Sequence, residues 1–113
     1  MLAIVLPLGG CSRLLHSNGV TIQTVNSSTQ FIRTIEVDFP GGSFGIAALR
    51  PGGIRSRWAR ITASGPLKII FVDEAGEHRI AAAVMLNASD SGSIKVDFQG
   101  GGRVAFSDLR PHH

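Results

Sequence analysis

One cysteine in 113 residues, Cys11, leaves no pair for a disulfide, so an exported domain of this size would be held by its apolar core alone. Charge is sparse at 17%, but 43% of residues are hydrophobic, which excludes a disordered chain. Acid is missing altogether between Asp38 and Asp73, a stretch that holds Arg50, Arg55, Arg57, Arg60 and Lys68. No segment from Val20 onward repeats apolar residues at helical spacing. Recognisable chemistry is equally scarce. His16, His78, His112 and His113 have no second His or Cys at a metal-ligand spacing, and His78 beside Glu77 reads as a solvated strand residue. Gly41–Gly42 and Gly100–Gly102 open no helix and lack the Gly-Lys-Ser context of a phosphate loop. Gly41-Gly42-Ser43-Phe44-Gly45 matches Gly-x-Ser-x-Gly in spacing but opens no helix, so it lacks the context of a nucleophile elbow, and no carboxylate pair stands in an apolar setting. No catalytic residue, metal site, cofactor or small-molecule substrate is therefore expected.

What is present begins with Met1 to Leu8, an uncharged apolar run far shorter than the ~20 residues that span a bilayer. It suits the core of a secretory signal that is inserted and removed. Leu8, Gly9 and Gly10 then precede Cys11, and glycines there let the backbone lie extended in a peptidase cleft. This order resembles the lipobox of bacterial prolipoproteins. The resemblance implies a signal peptide over residues 1–10, a lipidated Cys11 as the mature amino terminus, and a spacer through Gly19. Ser12, where an Asp would favour inner-membrane retention, implies an outer-membrane lipoprotein facing the periplasm.

From Val20 to Leu109, apolar runs and turn clusters alternate every 8 to 12 residues or so, the pattern of a sandwich or barrel. Strands are expected over Val20–Val25, Phe31–Phe39, Phe44–Leu49, Ile54–Ile61, Leu67–Val72, Glu77–Leu86, Ile94–Phe98 and Arg103–Leu109. In the second, Phe31, Ile35, Val37 and Phe39 fall on one face. The fifth is apolar on both faces except at Lys68, which places it mid-sheet. Asn26-Ser27-Ser28 and Asn87-Ala88-Ser89 fit the glycosylation sequon and read as loops. Strand count and size predict an all-β, antiparallel, immunoglobulin- or fibronectin-III-like sandwich of about seven to nine strands over residues 20–109, with 110–113 as a tail. The turns Asp38–Gly45, Leu49-Arg50-Pro51-Gly52, Gly65-Pro66-Leu67 and Asp73–Gly76 also resemble those of small bacterial lipoproteins with this domain type, a resemblance that carries no activity.

Two function classes follow. The first is a non-enzymatic, lipid-anchored envelope domain, held to the membrane through Cys11, that binds another protein by a sheet edge or basic face. The second is a soluble module that uses Arg50, Arg55, Arg57, Trp58 and Arg60 for an anionic partner. Strand-borne arginines beside an aromatic can hold a phosphate backbone and stack a base. Outside residues 50–60, however, seven basic residues face eight acidic ones, which disfavours nucleic acid. Along Ile54–Ile61, Ile54, Ser56, Trp58 and Arg60 share one face and Arg55, Arg57, Ala59 and Ile61 the other. Trp58 is expected in the core, with a binding role as its second reading. The first placement turns Arg55 and Arg57 outward as a positive patch.

Overall fold

The computed structural model describes residues 19–108. Cys11 and the leader lie outside the described residues. Eight strands follow in order: β1 (Gly19–Asn26), β2 (Ile32–Phe39), β3 (Gly42–Leu49), β4 (Ile54–Arg60), β5 (Gly65–Asp73), β6 (Gly76–Leu86), β7 (Gly92–Gly100) and β8 (Arg103–Asp108). They form two four-stranded sheets, β4-β1-β7-β8 and β3-β2-β5-β6. Hairpins join β2 to β3, β5 to β6 and β7 to β8, and every other connection changes sheet. The expected all-antiparallel arrangement needs one correction, because β1 runs parallel to β7. No hairpin joins β7 to β1, because the chain reaches β7 by crossing from the other sheet, so the pairing direction is not fixed by a turn.

Alternating β-branched and aromatic residues form the core. Val20 and Ile22 of β1 meet Ile94, Val96 and Phe98 of β7 on one inner face, and Ile35, Val37, Leu67, Ile69 and Phe71 supply the other. Across the layers, the Phe71 and Phe98 rings pack edge to face at 5.0 Å. That geometry adds about 0.5–1.5 kcal/mol to area burial. β5 lies between β2 and β6 as its two-sided apolar pattern requires.

β2 departs from simple alternation. Thr34 takes a left-handed φ of 52°, and the pairing with β5 shifts by one residue between Arg33 and Glu36. This bulge turns Ile32 and Ile35, three apart, both inward. Phe31, expected inside, is therefore 56% exposed.

Candidate functional site

The basic stretch begins at a corner between the sheets. Arg50, Pro51, Gly52 and Gly53 make a tight turn in which the Gly53 N–H donates to the Arg50 carbonyl at 2.8 Å. Pro at the second position and Gly52 at φ 80° are what a type II turn requires. Asn26 anchors the corner from β1. Its backbone accepts from Gly52 N at 2.7 Å and donates to Gly53 O at 3.0 Å. Its fully buried side chain donates through Nδ2 to the Gln30 and Leu49 carbonyls, at 2.7 and 2.8 Å. Oδ1 accepts from Ser28 N at 3.0 Å and Ser28 Oγ at 2.6 Å. Both ends of the amide are satisfied, which is the condition for burying it. The sequon reading of Asn26 as a loop residue is thus corrected: the residue ends a strand and its amide faces inward.

The register of β4 on β1 settles which way its side chains point. Ala59, Arg57 and Arg55 stand opposite Val20, Ile22 and Thr24, all of them buried, and directly opposed residues share a face. Arg55 and Arg57 therefore lie on the sheet's inner side. They remain exposed because β4 ends its sheet and β3 ends the other, so the sandwich is open between them. Thr24 Oγ1 donates to the Arg55 carbonyl at 3.0 Å, pinning the start of β4. The Arg57 guanidinium sits 5.0 Å from the centre of the Phe44 ring on β3. Such a cation over an aromatic face contributes about 0.5–1 kcal/mol at an exposed site.

Trp58 is the counterpart correction. It points away from the core, is 44% exposed, and shares the outer face of β4 with Ile54, Ser56 and Arg60. Its indole lies over Gly19, where an added Cβ would overlap the ring. The five residues expected to form one interaction face are thus divided. Arg50, Arg55 and Arg57 border the open edge, whereas Trp58 and Arg60 face outward from the sheet.

Two adjoining hollows mark that edge. One, of about 380 Å³, is lined by Phe31, Ala48, Leu49, Arg50, Gly53, Ile54 and Arg55. The next, of about 370 Å³, runs between Gly45–Ala48 of β3 and Arg55–Arg57 of β4. Neither is lined by a carboxylate. The neighbouring acids Glu36 and Asp38 lie on the opposite, solvent side of the β2–β3 pair. There a hydrogen bond and charge repulsion from Asp38 push the Glu36 carboxyl above its ordinary pKa.

A second constellation was not foreseen. Asp73, 4% exposed, closes the two-residue β5–β6 hairpin by accepting the Ala75 N–H at 2.8 Å. Its Oδ1 also lies 2.9 Å from His78 Nε2. The imidazole stacks on Phe71 at 5.0 Å and abuts Gly102 in the β7–β8 turn. Burial pushes the Asp73 pKa up, but the hydrogen bonds from His78 and from the Ala75 and Gly76 backbone outweigh it and leave the pKa lowered. His78 is half-buried, not solvated as expected. The available signal was an Asp and a His flanking a hairpin two residues from perfect opposition. The pair links the two strands of the hairpin, and the imidazole packs against the other sheet's turn at Gly102. Among the described residues, no group of three or more His, Cys, Asp or Glu converges, and no helix is long and apolar enough to cross a membrane.

Neither a protein-family model nor a curated protein matches this sequence. Among solved structures, the chain is similar to one determined by NMR for a protein from Eubacterium rectale, with a TM-score of 0.58 over 83% of this chain and 91% of that one. At 10% identity, the likeness is one of fold alone.

Proposed function

We propose that this protein is a non-enzymatic, lipid-anchored module of the bacterial cell envelope that docks an acidic protein partner at the open β3–β4 edge. The observation that carries the docking is the gathering of Arg50, Arg55 and Arg57 along two hollows with no carboxylate in their walls. The order Leu8-Gly9-Gly10-Cys11 supports the anchor, and Ser12 supports an outer-membrane location facing the periplasm. The immunoglobulin-like assignment belongs to the same proposal and rests on domain size and strand count.

Guanidinia along hollows without carboxylates attract acidic groups, and at an exposed edge that attraction weakens as salt rises above about 0.15 M. Reversing Arg55 and Arg57 together to Glu tests the reading. In a variant whose circular dichroism is unchanged, salt-sensitive binding to envelope proteins is expected to be lost. Binding equal to wild type would refute it. The second reading, an anionic partner on the Trp58–Arg60 face, rests on the exposure of Trp58, and the same double variant would leave that binding intact.

A further inference from the structure

We propose that the hollow at the β3–β4 corner receives one large apolar side chain of the acidic partner, with carboxylates of nearby partner residues held by Arg50 and Arg55. This rests on the reading that the partner docks at this edge, and it names the residue pattern the partner must present.

The hollow, of about 380 Å³, falls in the ~300–1,000 Å³ range of ligand sites, whose walls are mostly apolar with a few polar groups that orient the occupant. Buried Leu49 lies at its base, and its rim carries Phe31 and Ile54, each 56% exposed. Single apolar side chains in water are ordinary, but two large ones on one concavity make a patch. They reach it from different sheets, since Phe31 directly precedes β2 and Ile54 begins β4. The Thr34 bulge is what brings Phe31 there. A β-branched residue at φ 52° is disfavoured, and the consequence of that strained turn is that Phe31 leaves the core side and lines the hollow. Bulges that re-aim a side chain in this way recur beside functional sites.

The hollow is also built before any partner arrives. The Asn26 amide ties Gln30, Leu49 and Ser28 together at this corner. Gly53 in the wall is closely packed, because a Cβ there would come within 2.9 Å of the Arg50 carbonyl oxygen and 3.0 Å of Leu49 Cδ1. A preformed site spares the complex the cost of ordering it.

Charge complementarity decides the occupant. Arg50 before the turn and Arg55 after it both line the hollow, and no carboxylate does. The apolar group that enters must therefore bring acids with it. The neighbouring hollow of about 370 Å³ shares Ala48 and Arg55 with this one, so the basic wall runs on to Arg57, a third guanidinium that one small carboxylate would leave unused. A polypeptide segment spans both. In an extended segment, residues two apart face the same way at a spacing of about 7 Å. One side chain can then fill the hollow while acids two positions to either side accept charge-assisted hydrogen bonds from the guanidinia.

The test uses the full chain in detergent and short dye-labelled peptides, read by fluorescence anisotropy. One peptide has a central phenylalanine, glutamate two positions to either side and threonine elsewhere. A second has alanine at the centre, and a third keeps phenylalanine but has glutamine for glutamate. The first is expected to bind about tenfold or more tighter than the second, and the third should fail. Phe31→Ser and, separately, Ile54→Ser change no charge and alter exposed residues, so the fold should survive. Each should remove most of the difference between the phenylalanine and alanine peptides while leaving affinity for the alanine peptide unchanged. Arg50→Gln with Arg55→Gln should weaken both. Equal affinity for the two acidic peptides, lost for both in the variant with Arg55 and Arg57 reversed to Glu, would overturn the apolar subsite while leaving basic-edge docking intact. Displacement of the first peptide by an equal concentration of phenylpropionate would overturn the segment in favour of a free carboxylate. A dimer in sedimentation that Phe31→Ser dissociates would overturn it in favour of a second copy of this chain. No binding by either acidic peptide would also overturn the subsite, and envelope-protein binding unchanged in the charge-reversed variant would overturn the edge reading with it.

Discussion

Replacing Asn26 by Ala removes the amide on which the β3–β4 corner is hung. Four side-chain hydrogen bonds disappear, two given to the Gln30 and Leu49 carbonyls and two taken from Ser28. Water can reach the part-buried Gln30 carbonyl and the Ser28 hydroxyl keeps that carbonyl as a second partner, but the Leu49 carbonyl and the Ser28 N–H are enclosed, and each buried orphan costs about 1–3 kcal/mol. Summed with smaller losses at the other two, the variant should be less stable by about 3–5 kcal/mol, a large part of the ~5–15 kcal/mol of a typical domain. Urea unfolding followed by Trp58 fluorescence measures this directly, with an unchanged slope showing that the loss is in the native state. Asn26→Asp sharpens the test. It keeps the acceptor oxygen but sets a carboxylate against two carbonyl oxygens, so it should be at least as damaging at neutral pH and partly recover on protonation. A loss below about 1 kcal/mol for the alanine variant would refute the reasoning, because it would mean the enclosed groups find other partners.

Asp73 has a lowered pKa, so its contribution to stability is complete above the unfolded carboxylate value near 4 and fades as pH falls through the lower native one. Asp73→Asn should therefore lose about 1–3 kcal/mol at pH 7 and show a shallower loss than wild type as pH falls below about 4; parallel acid profiles would contradict it. Gly102→Ala should destabilise more than Gly101→Ala. Both glycines have positive φ, but a Cβ at 102 would come within 2.7 Å of the His78 ring, whereas 101 faces open space. The common backbone cost is about 1–2 kcal/mol, and thermal melts would expose the difference. Trp58→Ala should cost about 1 kcal/mol, against about 3–5 for Phe71→Ala in the core. Equal losses would return Trp58 to the interior.

Turn chemistry and period-two patterning made the strand plan legible from sequence. Glycine and proline clusters at Pro40–Gly42, Arg50–Gly53 and Gly100–Gly102 end strands where the structure ends them, because those residues alone adopt the backbone angles a reversal needs. Patterning erred where one residue broke the period. Thr34 is polar and β-branched, an unpromising candidate for left-handed φ, so nothing in the sequence announced the bulge that exposes Phe31. Trp58 was misplaced because hydrophobicity was weighed against charge within β4 alone. Inner and outer faces are decided by the strand opposite, and Ile22 and Thr24 of β1 claim Arg57 and Arg55 for the inner side. The arginine set was legible as a cluster, but its division into an edge and an outer face was not. Asn26 with Leu49, and His78 with Gly102, are contacts across sheets, which local patterns do not encode.

Intact mass spectrometry of the protein extracted from its native membrane tests the account most directly, since the proposed function depends on where the domain is held. The account predicts a mature chain that begins at Cys11 and carries a thioether-linked diacylglyceryl group, with two or more acyl chains giving stable anchorage at ~0.8 kcal/mol per buried methylene. In Cys11→Ala the unprocessed precursor should accumulate. A wild-type chain that retains an unmodified Met1 and Cys11 would contradict it.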